Sequence, residues 1–152
     1  LRIMRALRFA SVLGFDIEEK TSQAVFDNRE LLSSIAAERI YAELVKLLCG
    51  DNCDEVLLKY KEVFAVVIPE LKPTCTCTQN SKWHLYDVYT HIVKSVAVSP
   101  KKDYIRLAVF LHDIAKPQCK TTDEKGVDHF KTHCEVGAKI AFDILKRLKV
   151  SN

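Results

Sequence analysis

Glycine and proline are scarce, with four of each in 152 residues. That scarcity excludes a fold built from many tight turns and favours long helices. Long hydrophobic runs are missing too. The longest, residues 63–69 and 107–111, fall far short of the roughly 20 apolar residues that cross a bilayer. No secretory leader is visible, so a cytoplasmic protein without membrane contact is expected. An excess of one charge is lacking: 23 basic residues face 20 acidic ones for a net charge of +3. Composition alone therefore does not point to nucleic acid, and only the placement of charges can. The six cysteines lack zinc-finger spacing: Cys49 and Cys53 are four apart, and Cys75 and Cys77 enclose one residue. Free thiols are expected, with an adventitious Cys75–Cys77 disulfide as the alternative. What is present is apolar content of 48%, enough for a core and too much for disorder. The chain opens on Leu1 rather than Met, inside a helical pattern, and reads as a piece of a longer protein.

The periodicity predicts an all-α chain. A first helix spans residues 1–13, with Ile3, Ala6, Leu7, Ala10 and Leu13 on one stripe and Gly14 as its stop. Asp16 and Glu19 read as a capping box opening a second helix. That helix breaks near Asn28 and resumes through Leu31, Leu32 and Ile35. A third runs from about Ala36 to Gly50. A fourth starts at Asn52, carries Val56, Leu57, Tyr60, Val63, Phe64 and Val67, and ends at Pro69. Residues 72–81 read as a linker. They separate a body at 1–72 from a second part at 80–152. In the second part a helix is expected over 84–98. Ser99 and Pro100 then read as N-cap and N1 of a helix reaching Lys116, stopped by Pro117. Residues 121–128 read as a loop or small hairpin. Thr132 and Glu135 form a capping box for a last helix.

The chemistry-bearing residues sit in the second part. His84, Asp87 and His91 fall at i, i+3 and i+7, one face of a helix. His112 and Asp113 close a run, Tyr104 to Leu111, that is almost wholly apolar and should be buried. A carboxylate there is costly unless paired or bound to a cation. Lys116 follows one turn later, and His133 opens the last helix, where backbone N–H groups favour anions. Taken singly, each has a bland explanation as a satisfied or exposed side chain. Together, imidazoles with a carboxylate suit a divalent transition metal, and a lysine beside a helix N-terminus suits a phosphate.

The set His91, His112-Asp113 and Lys116 resembles the HD superfamily of metal-dependent phosphohydrolases. That resemblance implies His91, His112 and Asp113 as ligands of a divalent metal such as Mg, Mn or Ni. It makes Asp113 and Lys116 catalytic, and turns His84, Lys116, His129 and His133 toward phosphate or a second metal. The family's final aspartate has no match after His133 except Asp143, ten residues on in the same helix.

The first part adds a second resemblance. Arg2-Ile3-Met4-Arg5-Ala6-Leu7-Arg8-Phe9-Ala10 with Leu13-Gly14-Phe15-Asp16-Ile17, and Ala37-Glu38-Arg39-Ile40 with Glu43-Leu44, are similar to the segment after the catalytic head of class II tRNA nucleotidyltransferases and bacterial poly(A) polymerases. Arg2 matches the arginine of that family's Glu-Asp-x-x-Arg motif, which reads the incoming base. The resemblance implies a head upstream that uses Mg with ATP or CTP, with tRNA and nucleotide as partners and a homodimer as a possible assembly. Arg2, Arg5 and Arg8 recur every three residues as a basic ridge that Arg39 can join. Arginine suits base edges and phosphates, whereas a solvated surface ridge is the plain alternative. Two other readings stay open: a non-catalytic tRNA-binding or oligomerisation module, and a free-standing HD nucleotidase.

Overall fold

The computed structural model describes residues 1–80 and 85–150. The regular structure among the described residues is helical apart from one two-residue-per-strand hairpin. The first helix, α1 (Arg2–Leu13), buries Met4, Leu7 and Ala10 and ends as expected. Gly14 turns left-handed at φ 71°, and its N–H returns to Ala10 O at 2.9 Å. The next helix, α2 (Glu19–Asp27), is capped by Glu18, whose carboxylate accepts from Thr21 N at 2.9 Å; the Asp16–Glu19 box does not form. The break at Asn28 is real, and the chain continues as a 3-10 helix, Arg29–Ser34.

α3 (Ala37–Leu48) packs between α1 and the second half of the molecule. Its exit is tight: a methyl group on Gly50 would overlap the hydroxyl and carbonyl of Ser11. Ser11 Oγ also donates to Leu47 O at 2.7 Å. The expected single helix over residues 52–68 is two, α4 (Cys53–Lys59) and α5 (Lys61–Val67), broken at Tyr60. Tyr60 is fully buried, stacks on Phe26 and meets Ser22 Oγ at 2.9 Å. Tertiary demand at that ring overrides a continuous helical stripe.

Much of the expected linker is ordered. Pro69–Thr76 forms a second 3-10 helix packed on α5 and α6 (Val88–Val98), burying Leu71 and Thr74. The six cysteines are free thiols. α6 starts at Val88 instead of residue 84, because Asp87 caps it by accepting from Thr90 N at 2.8 Å. Ser99 closes α6, and α7 (Asp103–Leu111) begins after Lys102, so Pro100 lies in the connection rather than at N1. α7 ends at Leu111, and Pro117 lies inside the short α8 (Lys116–Cys119) instead of stopping a long helix. The hairpin pairs β1 (Thr121–Thr122) with β2 (Asp128–His129). α9 (His133–Arg147) follows Thr132 at φ 64°. The Thr132 hydroxyl bonds Lys131 O rather than the helix, so the capping box is absent. No helix among the described residues is long and apolar enough to cross a membrane.

One buried charge binds the two halves. Arg106 on α7 is 2% exposed. Its guanidinium donates to Leu48 O (2.6 Å), Gly50 O (3.1 Å), Ala97 O (3.1 Å) and Ser99 O (3.1 Å). These acceptors lie at the C-terminal ends of α3 and α6, where helix dipoles favour a cation.

Candidate metal centre

Three elements converge on Asp113. The corner after α7 supplies His112 and Asp113 themselves, the first turn of α6 supplies His91, and the first residue of α9 supplies His133. Asp113 is buried, with 3% of its side chain exposed, while the three imidazoles are each about one-third open. His91 Nε2 lies 3.4 Å and His112 Nε2 3.1 Å from Asp113 Oδ2, and His133 Nε2 lies 3.6 Å from Oδ1. One ligand atom from each of His91, His112 and Asp113 falls within 4.8 Å of the others.

The ring tautomers follow from a repeated device. His112 Nδ1 meets Val109 O at 2.6 Å and His133 Nδ1 meets Phe130 O at 2.5 Å, each the carbonyl three residues back. A nitrogen facing a carbonyl carries the proton, which leaves Nε2 of the neutral ring with its lone pair toward Asp113. Two electron-rich atoms then confront each other, and only a proton or a cation between them relieves the contact. Asp113 Oδ2 also receives no hydrogen bond of acceptable geometry among the described residues. Imidazole nitrogens fixed by backbone carbonyls around an under-satisfied carboxylate are what a divalent transition ion needs. Burial opposes charge on His112, yet Asp113 and the Val109 carbonyl outweigh it and hold the imidazole above its ordinary value. Burial likewise opposes ionisation of Asp113, but the His112 imidazole and Lys116 ammonium hold its carboxyl well below the usual range.

Lys116 is 5% exposed. Its ammonium lies 2.8 Å from Asp113 Oδ2, donates to Gln79 Oε1 at 2.8 Å and sits over the Phe130 ring. Gln79 and its contact were not legible in the sequence, because a glutamine in a polar loop carries no signal. His129 is placed on the hairpin, where Nε2 meets Asp123 Oδ2 at 2.9 Å. His84 lies outside the described residues, and Asp87 serves as a cap rather than sharing a helix face with His91. Asp143 is exposed on α9. Ten residues separate it from His133, about 15 Å along a helix, so it does not complete the cluster.

The arginine ridge divides. Arg2 and Arg5 are exposed on α1, and Arg39 is exposed on α3. Arg8 is partly buried, pairs with Glu43 at 2.8 Å and covers the Phe9 ring.

Two family models match the chain: "Probable RNA and SrmB-binding site of polymerase A" over residues 14–75, and "HD domain" over residues 84–152. The "Multifunctional CCA protein" of Vibrio campbellii is 31% identical over 163 aligned positions, covering 100% of this chain and 39% of that protein. The "A-adding tRNA nucleotidyltransferase" of Deinococcus radiodurans is 32% identical, covering 99% of this chain and 37% of its own length. A "CCA-adding enzyme" of Lactobacillus delbrueckii is 47% identical over 73 residues, 48% of this chain and 18% of the enzyme. The chain thus spans 18% to 39% of the length of these relatives. Helical body, HD cluster and relatives along its full length agree: the chain matches tRNA nucleotidyltransferases from end to end, as a helical region followed by an HD domain.

Proposed function

We propose that this chain is the RNA-binding body and the phosphohydrolase part of a cytoplasmic enzyme that matures the 3′ end of tRNA. Nucleotide addition belongs to a head that uses Mg with ATP or CTP. The HD cluster removes phosphate from 2′,3′-cyclic, 2′- or 3′-phosphate ends. The observation that carries the reading is the convergence of His91, His112 and His133 on the buried carboxylate of Asp113. His91, His112 and Asp113 hold a divalent ion, which supplies Lewis acidity for hydrolysis of a phosphate ester. His133, with Nδ1 tied to the Phe130 carbonyl, orients its other nitrogen toward the phosphate. Lys116 balances charge that builds on the phosphoryl oxygens. Arg2 and Arg5, exposed on one helix, bind tRNA phosphate or a base edge, and Arg39 extends that surface.

The test is metal content and hydrolysis together. Wild-type protein is expected to retain a transition ion and to hydrolyse bis(p-nitrophenyl) phosphate, with Asp113→Ala losing both. Equal metal in the two proteins sinks the ligand assignment. For the RNA surface, Arg2→Ala with Arg5→Ala should weaken tRNA binding and reduce the slope of log affinity against log salt by about two. An unchanged slope removes that surface from the proposal.

A further inference from the structure

Lys116 is buried, yet its ammonium lies on the same oxygen, Asp113 Oδ2, that faces His91 and His112. A divalent ion seated on Oδ2 between these imidazoles shares that oxygen with a positive charge 2.8 Å away. Like charges so close repel strongly where solvent screening is weak. Among the described residues the ammonium has one other polar partner, Gln79 Oε1 at 2.8 Å. Gln79 is itself 6% exposed, and its Nε2 donates to Tyr86 O at 3.1 Å. That bond fixes the amide so that its oxygen, and not its nitrogen, faces Lys116. The Phe130 ring lies beside the ammonium, with Nζ 5.2 Å from its centroid.

We infer that Gln79 is a positioning residue for Lys116: the ammonium occupies Asp113 as a resident cation, and a divalent ion displaces it from Asp113, leaving it held by Gln79 and the face of Phe130, where it is available to substrate. The inference rests on the metal-binding reading above. Its physical content is a competition. Without a metal, Lys116 neutralises a buried carboxylate whose Oδ2 lacks a well-formed hydrogen bond among the described residues. With a metal, the displaced ammonium stays in a dry pocket and needs an acceptor, because an unpartnered buried charge is costly. Gln79 therefore favours the metal-bound arrangement more than the metal-free one, while Lys116 opposes metal binding.

The experiment is a Co²⁺ titration of the protein, followed by the visible absorption of the ion and by calorimetry, with folding checked by thermal melts. Lys116→Met should bind Co²⁺ about tenfold more tightly than wild type, equivalent to about 1.4 kcal/mol. Gln79→Met should bind it several-fold more weakly. The double variant should match Lys116→Met alone, since Gln79 acts only through the lysine, and this non-additivity separates positioning from a general packing defect. Should Lys116→Met fold poorly, reductive methylation of wild type read by peptide mass spectrometry serves instead, with Lys116 protected without Co²⁺ and modified faster with it. Co²⁺ binding by wild type, lost in Asp113→Ala but no tighter in Lys116→Met, overturns the competition and leaves the metal site standing. Gln79→Met weakening Co²⁺ equally with and without Lys116 overturns the positioning role. Co²⁺ binding that survives Asp113→Ala overturns the underlying reading.

Discussion

Helix α7 carries a buried ion near its start and delivers another just past its end, and the two are treated in opposite ways. Arg106 is surrounded by backbone carbonyls at hydrogen-bond distance from two helix ends, and its donors are spent inside the protein. Asp113 is as deeply buried, but it is approached by three imidazoles and an ammonium, with Oδ2 lacking a well-aligned hydrogen bond among the described residues. A buried charge that is saturated by the backbone fixes architecture. One held by side chains that can turn away is ready to exchange partners. The same stretch of sequence thus contains a rivet and a candidate site, and burial alone does not distinguish them; the kind of partner does.

The largest effect that sharpens this contrast is on folding. Arg106→Met should lower stability by about 3 kcal/mol or more, since several carbonyls in a dry site lose their donor. Denaturant unfolding checks it, and a loss under about 1 kcal/mol would make Arg106 dispensable and erase the contrast. Asp113→Asn, similar in shape, should cost less stability than Arg106→Met but weaken transition-metal binding at least tenfold. Metal analysis beside the same unfolding curves decides; if the Asp113→Asn protein bound metal normally and its fold failed, the two ends of α7 would have exchanged roles.

A smaller effect lies in pH. The raised value of His112 means that its pairing with Asp113 supports the metal-free fold fully below about pH 6.5. That support fades as pH climbs through the folded-state value. Asp113, held low, acts in the other direction: its support is present above about pH 3.9 and is lost as pH falls toward its depressed value. The melting-temperature gap between metal-free wild type and His112→Gln should shrink from pH 5.5 to 8.5. A constant gap would show that the imidazole is held by packing alone. Smallest is Arg8→Ala, whose partly exposed pair with Glu43 is worth about 0.5 kcal/mol. Its stability loss, set beside unchanged tRNA binding, would separate it from Arg2 and Arg5.

The cluster was legible because His112-Asp113 ends an apolar run, where a bare carboxylate is conspicuous, and because His91 shares the resemblance. The helical class and the stop at Gly14 followed from periodicity and backbone chemistry. Helix ends were less legible. Asp87 looks like a member of a His-x-x-Asp face, but its short carboxylate accepts from the N–H and hydroxyl of Thr90 in α6 instead. Tyr60 fits the apolar stripe of one long helix, yet its buried hydroxyl and ring need Ser22 and Phe26, and the helix yields. Lys116 was visible as a cation near the site, but its contacts with Asp113 and Gln79 were not. That depends on the segment before α6 folding back over 37 residues of sequence. Arg106 was the one charge in an apolar run, the same signal that exposed Asp113, and its partners are equally remote.

The Arg106 contacts also order events in time. Leu48 and Gly50 present their carbonyls to a side chain encoded 58 and 56 residues later. At ribosomal speeds of about 5–20 residues per second, those groups wait roughly 3–12 s for their partner to be synthesised, longer still before it leaves the exit tunnel. The emerging body is therefore an unfinished surface during translation, and it closes only when α7 arrives.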